Sequence, residues 1–138
     1  MAEAQQIHKP VPRPSPESAP FWDGAKEKKL LLPRCENCGR FWFPPSQRCR
    51  HCLSADFTWR EVSGDARIYS FVVYHRVYHP GFEADVPYVV AIVELDEGPR
   101  LLANIVGAPP GDVRCDARVH VVFEERDGAT IPQFALSR

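Results

Sequence analysis

Cys35, Cys38, Cys49 and Cys52 form the pattern C-x2-C-x10-C-x2-C, and no other feature restricts the folding of this chain as much. A two-residue spacer lets both sulfurs of a pair face one ion, and four thiolates at ~2.3 Å complete a tetrahedral zinc shell. A complete shell has no open position, so the metal is expected to be structural rather than catalytic. Gly39 follows the first pair, where the chain must turn back and aim backbone N–H groups at sulfur. Iron in a rubredoxin-like site and a redox C-x-x-C are the alternatives; zinc is preferred because two pairs make one closed site. His51, inside the second pair, would have to displace a cysteine and reads as a surface residue.

The fifth cysteine, Cys115, has no activating neighbour in sequence and reads as a small loop or core residue. Paired C-x-x-C spacing points to metal binding in a reducing compartment rather than to disulfides. At 138 residues, 44% hydrophobic and 25% charged, the chain has ordinary globular composition and room for one module with an appendage. No apolar run approaches the ~18 residues of a membrane span. The opening MAEAQQIHKPVPRP lacks a signal-peptide core, so a cytoplasmic location is expected.

Net charge is −1 but unevenly spread. Residues 26–51 hold seven Lys or Arg against two acids, whereas residues 52–138 hold eight against thirteen. A basic cysteine segment therefore precedes an acidic body. Zinc with four thiolates carries −2, which leaves the metallated segment about +3 and attractive to phosphate. A solvated basic face is the plainer reading of the same charges.

Pro10, Pro12, Pro14, Pro16 and Pro20 preclude a continuous helix and imply an extended arm. Ser18 as N-cap, Pro20 near the start and apolar residues at helical spacing predict a short helix over Pro20–Lys28. Its adjacent aromatics, Phe21 and Trp22, need a covering surface, from this domain or from another subunit. LLLPR, RFWFPP and FTWREV around the cysteines read as short strands held by two metal knuckles. Beyond Gly64, strands are expected at Ala66–Tyr78, Tyr88–Leu95, Leu101–Val106, Arg118–Glu125 and Ile131–Phe134. The expected class is mainly β: arm and short helix over 1–30, zinc ribbon over 31–62, and a five-stranded barrel over 63–138.

His75 and His79 are spaced i, i+4, yet on an extended strand their side chains lie ~13 Å apart, too far for one ion. Beside Tyr74, Tyr78 and Phe82 they read first as loop packing, with lining a ligand pocket as the alternative. The sequence contains no Ser-His-Asp order, no Gly-rich phosphate loop and no supported carboxylate pair. No catalytic residue is assigned.

PFWDG, LPRCENCGRFWFPPSQRCRHC, TWREVSGDARIYSFVV and PYVVAIVELDEGPRLLANI together resemble the acyl-CoA-associated zinc-ribbon and OB-fold proteins, domain of unknown function family thirty-five. The resemblance implies a helical arm, a rubredoxin-like ribbon and an OB barrel. It further implies a non-catalytic subunit in a hetero-oligomer with a thiolase-fold enzyme (thiolase, acyltransferase or side-chain-cleaving aldolase). Together the two chains would form an acyl-CoA site. Two positions depart from the family: Lys28 stands where glycine is frequent, and the usual Gly-x-Gly reads Gly64-Asp65-Ala66.

On this reading Phe21, Trp22, Tyr74 and His75 are candidates for the partner surface or substrate pocket. Arg48 and Arg50, on the second knuckle, are candidates for the CoA phosphates through bidentate guanidinium contacts. A single-stranded nucleic-acid module is the rival, since ribbons and OB barrels both recur there. The acidic body opposes it, because such binding needs basic residues along the groove.

Overall fold

The computed structural model describes residues 8–137. Helix α1 (Ala19–Lys26) is two residues shorter at its end than the pattern predicts. Lys28 takes a left-handed backbone, φ 63°. Lys29 N–H then donates to Gly24 O at 2.9 Å and Lys28 N–H to Ala25 O at 2.9 Å, the paired bonds of a Schellman stop. The family's glycine position is thus a left-handed cap, and here a lysine adopts it. At the other end Ser18 occupies the N-cap position without a side-chain cap bond. Its Oγ accepts from Ser15 N–H at 2.9 Å instead.

Strands β1 (Leu31–Cys35) and β2 (Phe57–Glu61) form an antiparallel ladder that holds the ribbon. Leu30 and Val62 extend it by a bond of 2.9 Å where the chain enters and leaves. Gly24 sits so close to β1 that a Cβ there would lie 2.6 Å from Leu31 Cγ, so the helix–strand approach requires glycine.

The barrel comprises β3 (Asp65–Tyr74), β4 (Tyr88–Leu95), β5 (Arg100–Val106), β6 (Arg118–Arg126) and β7 (Ala129–Leu136). It closes in the order β3-β4-β5-β7-β6, antiparallel except where β5 meets β7, which is OB topology. β4 alternates as a barrel strand must, with Val89, Ala91, Val93 and Leu95 buried between half-buried residues. A register shift between Ile68 and Ser70 bends β3, so that its first part pairs with both β6 and β4 and its second with β4. β3 ends at Tyr74, short of the expected Tyr78, because its partner β4 begins opposite it at Tyr88. β7 is longer than Ile131–Phe134 because it pairs with β6 along eight positions. Pro132 lies outside the two positions paired with β5, so its missing N–H interrupts no parallel bond.

The left-handed turn before β3 falls on Gly64, φ 81°, where a Cβ would lie 2.4 Å from Val121 Cγ1. Ala66 is an ordinary buried strand residue, so the replacement of the second family glycine leaves the turn intact. One buried cluster runs from Phe21 and Leu30 through Leu32 and Val62 into Ile68 and Phe134, joining helix, ribbon and barrel. The arm lies across the barrel: Lys9 Nζ meets Asp85 Oδ2 at 2.6 Å and His8 Nδ1 meets Asp127 Oδ2 at 3.2 Å.

A lysine in the left-handed region costs about 1 kcal/mol relative to glycine, and its pair with Glu125 at 2.9 Å is exposed and screened by solvent. Lys28→Gly is therefore expected to leave the thermal midpoint unchanged or raise it by about 1–4 °C. Lys28→Ala, which keeps the strain and loses the pair, is expected to lower it. Calorimetry on the two variants separates these outcomes.

Candidate metal centre and its surroundings

The two knuckles are near copies of one another. Gly39 N–H donates to Cys35 O at 2.9 Å and Leu53 N–H to Cys49 O at 3.0 Å. Gly39 and Leu53 both have positive φ, 77° and 66°. Inside each loop a backbone N–H reaches sulfur: Cys38 N–H to Cys35 Sγ at 3.4 Å, and His51 N–H to Cys49 Sγ at 3.3 Å. The four sulfurs of Cys35, Cys38, Cys49 and Cys52 lie within 4.8 Å of one another. Cys35–Cys52 and Cys38–Cys49 separations are 3.5 and 3.6 Å. Four ligands ~2.3 Å from a tetrahedral zinc stand about 3.8 Å apart, so the donor set fits the ion.

Cys35 and Cys49 are fully buried, backed by Trp42 and Phe57, whose rings meet edge to face at 5.2 Å. Trp42 Nε1 donates to Ser46 Oγ at 3.0 Å, which satisfies the indole inside the ribbon. Cys38 and Cys52 face outward. Asn37 Nδ2 donates to Cys52 Sγ at 3.5 Å. That bond, followed by the Ser54 backbone N–H, draws the Cys52 thiol down to about 6, whereas, against a backbone bond at Arg40, burial and the Cys49 sulfur push the Cys38 thiol up to about 11. Asn37 and Trp42 are supporting residues that sequence reasoning did not single out. The Asn37 signal was its place inside the first C-x-x-C.

The other candidates fall in different places. Phe21 is buried in the shared core against Trp22 and Phe43, at ring distances of 5.0 and 5.4 Å, and Trp22 is half-buried beside it. The covering surface for this pair is therefore largely their own domain. Arg48 Nη1 donates to Leu53 O at 3.0 Å and so braces the second knuckle. Arg50 is exposed and lines a cleft of about 260 Å³ between ribbon and barrel, with Phe41, His51, Glu94 and Arg100. His51 is exposed as expected, with Nε2 3.3 Å from Phe41 O.

Tyr74 lies 5.2 Å from Tyr88 and 5.7 Å from Tyr78, centroid to centroid. His75 is exposed in the loop after β3, while His79 Nδ1 accepts from Gly81 N–H at 2.9 Å and caps a 3₁₀ turn over Pro80–Phe82. Among the described residues the four cysteines are the one group placed to hold a metal, and the two histidines do not join it. Cys115 is exposed.

A second cavity, about 230 Å³, opens at the barrel mouth beside Lys9, Phe82, Tyr88, Asn104, Arg126 and Gln133. Arg67, Arg100, Arg118 and Arg126 of the barrel are engaged by carboxylates, whereas Arg114 donates to the Gly111 and Val113 carbonyls and Arg76 stacks over Tyr78. Glu94 accepts from Arg100 Nε at 3.0 Å and Arg67 Nη2 at 3.0 Å, and these bonds, Arg100's foremost, hold its carboxyl below the usual range. Arg118 forks onto Asp96 through two bonds of 2.8 Å.

Residues 22–58 match the family model described as "ChsH2, rubredoxin-like zinc ribbon domain" and residues 59–124 match "ChsH2, C-terminal OB-fold domain". A DUF35 domain-containing scaffold protein of Methanocaldococcus jannaschii is 38% identical over 74% of this chain and 73% of its own length. This chain belongs to the DUF35 family. A benzoylsuccinyl-CoA thiolase subunit, BbsA, of Thauera aromatica is 31% identical over 76% of the chain and 73% of its own. A probable enoyl-CoA hydratase alpha subunit of Thermomonospora curvata is 38% identical over 91% of the chain, which spans only 39% of that larger protein. Among solved structures, a chain of the Ltp2-ChsH2(DUF35) aldolase superposes with a TM-score of 0.83 at 37% identity, over 91% of this chain and 98% of that one.

The site is thus a structural zinc centre of the ribbon. The purified protein is expected to be colourless with one zinc per chain by elemental analysis. Cys49→Ser is expected to lose most of that zinc and several kcal/mol of stability, about 3 or more, because structural zinc binding is folding free energy. Cys115→Ser is expected to change neither quantity.

Proposed function

We propose that this chain is a non-catalytic accessory subunit that binds a thiolase-fold enzyme and helps to form its acyl-CoA site. The observation that carries the reading is the match, along nearly its whole length, to the DUF35 chain of an aldolase that also contains Ltp2. The thiolase-subunit relative points the same way. The metal adds no chemistry, since four thiolates leave it no open position. Bond making or cleavage belongs to the partner's residues.

In this reading the arm and helix (1–30) and the barrel (63–138) supply the docking surface, and the ribbon (31–62) supplies positive charge. Trp22, Tyr74 and His75 contact the partner or its substrate pocket. Arg50, in the ribbon–barrel cleft, meets the CoA phosphates, while Arg48 supports the knuckle that presents it. The complex works in the cytoplasm; no described helix is long and apolar enough to cross a membrane. Nucleic-acid binding is disfavoured because Arg67, Arg100, Arg118 and Arg126 are all committed to carboxylates on the barrel.

Co-expression with thiolase-fold proteins of the same genome, followed by size-exclusion chromatography, zinc analysis and acyl-CoA turnover on each fraction, tests this. A zinc-containing complex that is active only when both chains are present is the expected result. Arg50→Ala is expected to raise KM for the acyl-CoA several-fold in that complex with little change in kcat. A chain that ignores every such partner and shifts single-stranded RNA or DNA at moderate salt would refute the proposal.

A further inference from the structure

Eight large hydrophobic side chains are exposed among the described residues. Six of them, Tyr69, Val72, Tyr74, Val77, Tyr78 and Leu102, lie on β3, the loop after it and β5. The register makes those on the strands neighbours. Ser70, Ile92 and Leu102 form one row across the outer face, Val72, Val90 and Asn104 the next, and Tyr74 with Tyr88 the third. Val72 is 53% and Leu102 74% exposed. The charges at the Arg67 end are neutralised on one another: Glu94 is held by Arg67 and Arg100, and Asp116 by Arg67. What remains in the middle is an uncharged apolar strip.

The same strand has an open edge. β3 pairs with β6 only over Asp65–Arg67, and Ile68 makes the last bonds on that side, with Ala117 O at 3.0 Å and Asp116 N–H at 2.7 Å. From Tyr69 to Tyr74 no backbone bond is made on that side among the described residues. Free edges in soluble proteins are ordinarily guarded by charge, proline or a covering element. This one reads Tyr-Ser-Phe-Val-Val-Tyr, with none of the three.

We infer that the open edge of β3 and the outer face beside it receive an extended, uncharged segment of the thiolase-fold subunit, added as a strand along Tyr69–Tyr74. The inference rests on the accessory-subunit reading and specifies where that subunit docks. Main-chain bonds to the edge supply affinity, Val72 and Tyr74 select apolar side chains at alternate positions of the added strand, and Leu102, two strands away on β5, meets the part of the partner that lies over the outer face. A second copy of this chain fits less well. Three strands ~4.8 Å apart and five residues long at ~3.3 Å present only about 250 Å², against ~800 Å² per partner in a stable interface. The occupant must therefore continue beyond the sheet, past exposed Arg76, whose guanidinium lies 5.6 Å over the Tyr78 ring, and over Val77 and Tyr78, as a larger partner does.

Hydrogen exchange read by mass spectrometry on the free chain and on its complex with the thiolase-fold subunit tests this without mutation. Amides within 69–78 are expected to slow at least about tenfold on complex formation. Val72→Asp and Leu102→Asp, at sites too exposed to unsettle the fold, are each expected to weaken the complex at least about tenfold. A complex that forms while 69–78 exchange as in the free chain, and that tolerates both aspartates, overturns this inference and leaves the accessory-subunit reading standing. Failure to form a complex with any thiolase-fold protein overturns both. Protection of 69–78 in a dimer of this chain alone assigns the edge to a second copy and overturns the inference as well.

Discussion

Two strands of five residues and two knuckles enclose too little apolar surface to hold a fold. The amino-terminal half of the chain therefore depends on four sulfurs meeting at one point. Their convergence positions Trp42 and Phe57 over the buried cysteines and sets the β1–β2 register that starts at Leu31 opposite Glu61. That register brings Leu30 and Val62 together, and those two residues hand the ribbon on to the helix and the barrel. The metal acts through geometry alone.

The barrel is not simply appended to the ribbon. One cluster of buried side chains crosses from α1 through β1 into the barrel interior, so movement between ribbon and barrel has to break apolar contacts. Close approach at two glycines tightens the junction: Gly24 lies against Leu31 and Gly64 against Val121. The arm adds polar ties on the far side, at Asp85 and Asp127. A rigid unit of this kind suits a role in presenting surfaces rather than in moving through a catalytic cycle.

Charge and apolar surface are separated in space. Unpaired positive charge lies on the ribbon beside the cleft at Arg50, while four of the barrel's arginines, Arg67, Arg100, Arg118 and Arg126, are neutralised by neighbouring acids. The open apolar strip lies on β3 and β5. A phosphate-bearing ligand and an apolar protein segment would thus be received at different places. Such separation is what a subunit needs if it is to hold a partner and border its substrate at once.

The metal ligands were legible from spacing because coordination chemistry is local: two residues between sulfurs and a turn after each pair leave few alternatives. Strand existence and the barrel class were legible for a similar reason, since β-branched runs such as Tyr88–Leu95 carry their own propensity. The family resemblance, carried by stretches of both ribbon and barrel, added the OB identity. Boundaries were not legible where a partner strand decides them. β3 stops where β4 begins, and β7 runs past Pro132 because β6 runs beside it. Nor did the sequence show that Phe21 is covered by its own core, that Arg48 turns back onto the knuckle, or that Lys28 caps a helix in a left-handed conformation. Those facts depend on residues distant in the chain or on a backbone angle that composition does not encode. Local chemistry determined which residues hold the metal, and only long-range packing decided which surfaces remain free.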